Sequence, residues 1–271
     1  MLAAALYGTS DFLGGIATRR SAIFGVAIVS QGVGLLLLLA FWHWLPGRPA
    51  QQDMLFGVLA GIGGGLGIAL LYHALSIGKM GVVSPITAVL AASLPVAVGL
   101  RLGEGVSRLQ LVGMGVALLA VVLISASHED DGSREISTAG VKEAIASGIA
   151  LGCFFVFLGA AHGSAGMWPL VAARASSLGV LTVLALAARK PVALRRDAIA
   201  LVAVAGAIDM SANGLFVLAA HLGGLSIAAV LTSLYPASTV FLAAFLLRER
   251  LRSWQWLGVA LALLGVACIA A

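Results

Sequence analysis

"LGEGVSRLQLVGMGVALLAVVLIS" occupies residues 102–125, and "LRERLRSWQWLGVALALLGVACIA" occupies residues 247–270. The second stretch repeats the spacing of the first. Leu102, Glu104, Gln110 and Gly113 stand in the places of Leu247, Glu249, Gln255 and Gly258. Between them lies a constant offset of 145 residues. The same offset carries Phe12-Leu13-Gly14 onto Phe157-Leu158-Gly159, Gly34 onto Gly179, Gly61 onto Gly206 and Gly78 onto Gly223. One ungapped register across both halves exceeds what composition alone produces. The chain reads as a duplicated unit.

Each copy is greasy. Of 271 residues, 61% are hydrophobic and 10% are charged, whereas a soluble domain carries roughly a quarter charged residues. Mean hydropathy is +1.09. So few polar side chains cannot cover a water-soluble surface, and the composition calls for a bilayer. Apolar runs bounded by charges or by Pro and Gly predict ten spans: 2–17, 22–45, 54–75, 82–100, 109–126, 141–161, 167–188, 198–220, 225–247 and 254–271. The runs are continuous rather than alternating, which favours helices over barrel strands. The polar linker "HEDDGSREIST", residues 128–138, falls between spans five and six. It divides the chain into a first five-helix unit (1–127), a linker (128–140) and a second five-helix unit (141–271). Five is odd, so the second unit enters the bilayer from the opposite side. The predicted fold class is an all-α membrane protein with ten transmembrane helices in two inverted five-helix repeats. That architecture places a solute near the midplane between the halves of secondary transporters.

The two endings resemble the closing signature of the EamA-type repeat, an acid followed nine residues later by Gly in an apolar helix. "LSIAAVLTSLYPASTVFLAAFLLRERL" (225–251) is similar to the preceding part of that repeat, and Tyr235-Pro236 carries its Tyr-Pro pair. The first half departs there, with Leu90-Ala91 at the matching positions and Pro95 a few residues on. "YGTSDFLGG" (7–15) is similar to the family's first-helix opening. The resemblance implies a ten-helix carrier of the drug/metabolite transporter superfamily. Its members export amino acids, related metabolites or drugs, and some move sugars. It also implies residence in the cell (inner) membrane and termini that face the cytoplasm. The charge pattern points the other way. Loops after odd-numbered spans hold 12 Lys and Arg, and loops after even-numbered spans hold only Arg48, Arg101 and Arg108. Because Lys and Arg accumulate on cytoplasmic loops, that bias puts both termini outside.

Three charges fall well inside spans: Asp11, Arg174 and Asp209. Such residues are costly in hydrocarbon unless they are paired or face water, and they mark function by default. At about 1.5 Å per residue, Asp209 lies roughly 16 Å deep, Arg174 roughly 21 Å and Asp11 roughly 9 Å, measured from the odd-loop side. The depths predict an Arg174–Asp209 pair that leaves Asp11 nearer one mouth. The alternative is a structural ion pair and a carboxyl at the membrane edge. Tyr7 lies one turn before Asp11, and Asn213 one turn after Asp209. Gln31 sits mid-span, and Tyr235 adjoins a helix-breaking proline. Asp11, Arg174, Asp209, Asn213, Tyr7, Gln31 and Tyr235 are the candidate residues for binding a small-molecule substrate or a coupling proton. The glycines of "GIGGGLG" (61–67) read as small-xxx-small packing.

Several classes are excluded. No strand-to-helix dinucleotide loop, Walker loop, zincin or nucleophile-elbow motif is present, so neither an enzyme nor a nucleotide-driven pump is expected. No metal or cofactor site is expected, and Cys153 and Cys268 read as packing residues inside apolar runs. The basic balance of +5 comes without aromatic–basic interleaving, so nucleic acid is not an expected partner. The first apolar run lacks a convincing cleavage site and is not read as a signal peptide. The expected partners are lipid, solute and protons, with the chain acting as a monomer or homodimer. A lipid or lipid-linked sugar translocator on the same fold is the alternative reading.

Overall fold

The computed structural model describes residues 1–18, 21–41, 47–77, 80–125, 140–246 and 253–270. Among the described residues the chain is helical and has no strand. The helices are α1 (Leu2–Thr18), α2 (Ile23–Ala40), α3 (Gln51–Ile77), α4 (Met80–Arg101), α5 (Arg108–Ser125), α6 (Val141–Ala160), α7 (Trp168–Ala187), α8 (Ile199–Gly223), α9 (Leu225–Ser233), α10 (Tyr235–Leu246) and α11 (Ser253–Ala270). Among the described residues five stretches are long and apolar enough to cross a membrane: Ile23–Ala40, Gln51–Leu71, Val141–Ala160, Trp168–Ala187 and Arg196–Gly223. Shorter apolar helices cover Ile86–Arg101, Arg108–Ile124, Leu225–Thr239 and Ser253–Ile269. The expected linker lies largely outside the described residues.

One expectation is corrected. The run at 225–247 reads as a single helix but is broken at Leu234 into α9 and α10. Pro236 explains the break, since it has no N–H to donate to the preceding turn and disfavours helical backbone before it.

The two halves interdigitate rather than forming separate cores. α3 packs on α6 and α7, while α8 packs on α1 and α2; α4 packs on α6, while α9 and α10 pack on α1. The 145-residue offset exchanges each of these pairings with its partner. The main apolar cluster draws Leu38 and Ala60 from the first half and Leu158, Leu170 and Phe216 from the second.

The seam between α5 and α11 shows the relation most directly. Gln110 Nε2 donates to Ile269 O at 3.3 Å, and Gln255 Nε2 donates to Ile124 O at 3.4 Å. Moving Gln110 up and Ile269 down by the 145-residue offset gives Gln255 and Ile124, so each bond is the other with the halves exchanged. The start of each helix therefore meets the end of its counterpart, and the two run antiparallel. Gly113 and Gly258 lie within this seam, and a methyl group at either would press on the facing backbone or side chains. The acid-to-Gly spacing of the two chain segments thus has a packing reason on its Gly side.

Between membrane helices the hydrophobic effect supplies little, and close van der Waals approach supplies more. Glycine provides that approach here. Gly57 and Gly61 of α3 face the carbonyl oxygens of Pro169 and Ala173 on α7, and Gly63 faces Ala150 O on α6. In the second half Gly206 of α8 lies against Ser30 of α2. A Cβ at Gly61 would overlap Ala173 O and Ser176 Oγ, whereas a Cβ at Gly14 meets open space. Gly61→Ala should therefore destabilise the protein by about 1–3 kcal/mol through overpacking. Gly14→Ala should be neutral, or stabilising by up to about 1 kcal/mol through helix propensity. Melting curves of the two purified variants check the contrast.

Candidate solute site between the halves

α7 carries Arg174, which is 5% exposed, into the packed interior. Its position in mid-helix, flanked by alanines and Ser177, turns the long side chain toward α2 and α8. Arg174 Nη2 donates to Asp209 Oδ2 at 2.5 Å, and Arg174 Nη1 donates to Gln31 Oε1. Asn213, one turn along α8, donates from Nδ2 to Asp209 O at 2.8 Å and to Asp209 Oδ2 at 3.3 Å. Four of the residues singled out by sequence thus form one network contributed by α2, α7 and α8. Gly34 lies beside the Arg174 side chain, with the guanidine Nε 3.5 Å from where a Cβ would stand.

Asp11 is placed differently. Its side chain is exposed although it sits mid-helix. It lies within electrostatic reach of Asp209 on α8 and of Tyr235 on α10. Among the described residues it has no hydrogen-bond partner. The next turn of the same face is Gly14-Gly15, and a Cβ on either glycine would meet nothing within 4 Å. Asp11 therefore lies on an open face of α1 that continues toward its C-terminal end. The other faces of α1 are tightly held. Ser10 Oγ donates to Ala205 O at 2.9 Å, and Thr239 Oγ1 donates to Gly8 O at 3.0 Å.

Tyr7 is half-buried, and its hydroxyl has no hydrogen-bond partner among the described residues. It lies within electrostatic reach of Asp209, Arg174 and Asp11. Asn213 Oδ1 is also buried without a partner among the described residues. With Arg174 held by Asp209, the charges sum to one net negative, carried by Asp11. The orphan groups include a pure acceptor, Asn213 Oδ1, and an ambivalent hydroxyl. Buried polar groups are normally paired, and these two atoms are exceptions. Ser176, which the repeat offset sets opposite Gln31, does not join them. Its Oγ donates to Val58 O and Ala172 O, each at 3.0 Å, in the α3–α7 seam.

Sequence reasoning missed two carboxylates that stitch one end of the bundle. Asp53 is 1% exposed. Its Oδ2 accepts from Ala50 N at 2.9 Å, and its Oδ1 accepts from His162 N at 2.9 Å and lies 2.7 Å from His162 Nδ1. Its signal was half of a capping box, an acid three residues after the residue that caps α3. Beside it Arg48 N donates to Ser164 O at 2.8 Å, and His221 Nε2 lies 2.7 Å from Ala161 O. His162, just after α6, and His221, in the last turn of α8, thus tie neighbouring elements together at this end.

Glu104 is the second missed carboxylate. It accepts from Leu225 N at 2.5 Å and Ser226 N at 2.9 Å, the first amides of α9. Those amides are orphans of a helix start, and a carboxylate there also meets the positive end of the helix dipole. Gly224, with φ of +87°, makes the sharp turn out of α8 that presents them. The acid of the repeated acid-to-Gly signature is thus a cap reaching across from one half to the other. Glu249 lies outside the described residues. Glu104→Ala should cost about 1–2 kcal/mol, the usual scale of a lost helix cap. Glu104→Gln should cost less, because one acceptor oxygen remains. Thermal unfolding of both variants is the measurement.

A family model described as the EamA-like transporter family matches residues 1–126 and 138–271. No curated protein matches the chain. One solved structure, titled only "Crystal structure of protein", superimposes with a TM-score of 0.77 at 16% identity, covering 98% of this chain and 93% of the other. At that identity the likeness speaks to the fold alone.

Proposed function

The chain belongs to the EamA-like transporter family, and from that premise we propose a secondary active carrier that exports a small metabolite or drug by alternating access. As a family member it is a multi-pass membrane protein that transports small solutes. On our reading ten spans cross the cell (inner) membrane as two inverted repeats, 1–127 and 141–271. The antiparallel, offset-related bonds of α5 and α11 support the inversion. The excess of Lys and Arg on loops after odd-numbered spans makes those loops cytoplasmic.

The observation that carries the reading is Asp11, a carboxylate with no partner among the described residues, within electrostatic reach of Asp209 in the buried Arg174–Asp209 pair. A carboxylate there can hold a cationic group or a proton, but not both. Competition for one anion is the simplest way to exchange a solute for protons. Tyr7, Gln31, Asn213 and Tyr235 complete the site. Rocking of the halves about their glycine seams would open it to each side in turn.

Counterflow in proteoliposomes tests the proposal. Vesicles loaded with unlabelled substrate should accumulate labelled substrate, and an imposed pH difference should change the rate. If counterflow is absent for amines, amino acids and nucleosides alike, a solute carrier is the wrong reading. An apolar groove of about 420 Å³ between α1, α8 and α9, walled by Leu2, Leu218, Leu222 and Leu231, favours the second reading, a lipid translocator. Its lining carries no charged side chain for a phosphate headgroup, so the solute reading takes precedence.

A further inference from the structure

The site has two unlike walls. The 145-residue offset carries Tyr7, Asp11, Asp209 and Asn213 onto Gly152, Val156, Gly64 and Ile68. Each of these four polar residues thus has a glycine or an apolar residue as its counterpart. At Gly64, where the repeat would place a second Asp209, the ring of Phe154 fills the space, 3.1 Å from where a Cβ would stand. Next to it Phe155 is half-buried on α6. Its ring centroid lies 5.1 Å from Phe154, 4.7 Å from Phe216 and 6.4 Å from Tyr7, the last edge-on at 89°.

The positions of those neighbours matter. Phe216 is one turn beyond Asn213 on α8, and Tyr7 is one turn before Asp11 on α1. Phe155 therefore touches the aromatic end of both polar stripes. A molecule with donors for Asp11, the Tyr7 hydroxyl and Asn213 Oδ1 would lay its other end against this ring. Resting on the carrier reading above, we infer that Phe155 determines specificity at this site and seats the aryl end of an arylalkylamine whose ammonium faces Asp11. The charge fits a monocation, because within this site Asp11 is the anion that no described residue pairs. The aromatic wall fits a flat apolar body, because edge-to-face and offset ring contacts add to simple burial. A zwitterion fits less well, since the guanidinium that would take its carboxylate is held by Asp209 and Gln31.

The test is isothermal titration of the purified full chain with phenethylamine and with ethylamine, which share the ammonium and differ in the ring. The wild type should bind phenethylamine at least about tenfold more tightly. Phe155→Ala should reduce that ratio to about threefold or less, with Phe155→Leu as the variant that keeps apolar volume should the first not fold. Asp11→Asn should weaken both amines together and leave the ratio in place. An unchanged ratio in folded Phe155 variants overturns the assignment of Phe155 and leaves the carrier reading standing. Failure of the wild type to bind either amine overturns the substrate class, and counterflow of other solutes then decides the carrier reading separately.

Discussion

Arg174→Leu should produce the largest loss of stability of any single change in the site. The guanidinium is almost fully buried, and its two named partners, Asp209 and Gln31, lie on α8 and α2. Removing it leaves the Asp209 carboxylate, 23% exposed, with only Asn213 for company. Breaking a buried ion pair from one side typically costs about 3–5 kcal/mol, because a charge remains without compensation. In a chain of this length each kcal/mol corresponds to roughly 2–4 °C, so the melting temperature should fall by about 10 °C. Removing both charges should be milder. Arg174→Leu combined with Asp209→Leu should recover most of the lost stability, since an apolar pair can replace a buried ionic one. It should not recover transport. That split between melting temperature and counterflow separates a functional pair from a merely structural one. If the double variant transports normally, the pair only joins helices.

Asp11→Asn should show the opposite profile. The side chain is exposed and without a partner among the described residues. Its replacement should therefore change stability by no more than about 0.5 kcal/mol, as at other unsatisfied surface positions. Transport of a cationic solute should fall about a hundredfold or more, equivalent to about 2.7 kcal/mol of lost binding. In the wild type, lowering the pH on the binding side should weaken apparent affinity, because protons and solute compete for one carboxylate. In the variant that pH dependence should disappear. Counterflow rates across a pH series, wild type against variant, are the readout. Retained pH dependence in Asp11→Asn would move the coupling group elsewhere, with Asp209 the next candidate.

How much of this was legible in the sequence varies with the kind of interaction. The repeat was legible because a duplicated fold preserves spacing, and Gln110 and Gln255 now make the same bond in exchanged roles. The Arg174–Asp209 pair was legible because few charges lie deep in apolar runs, and depth along a helix follows from 1.5 Å per residue. The break at Leu234 was half legible. Pro236 was seen as a breaker, yet the apolar run continues across it and hydropathy does not register backbone. Glu104 was recognised only as part of a pattern. Its work depends on the α9 start 121 residues later in sequence, and no local signal encodes that approach. Phe155 was hidden for a related reason. In a chain this apolar a phenylalanine carries no contrast, and only its neighbours Tyr7 and Phe216 set it apart.

The central claim is that the space bordered by Asp11 is reached from both sides of the membrane in turn. Gly14 offers the most direct probe, one turn from Asp11 and facing open space. With Cys153 and Cys268 replaced by alanine, Gly14→Cys would carry the lone thiol. A membrane-impermeant maleimide applied to oriented proteoliposomes, from one face and then the other, reads its accessibility. The account predicts labelling from each face, with saturating substrate shifting the balance between them. Labelling from neither face, or from the same single face with and without substrate, would contradict it.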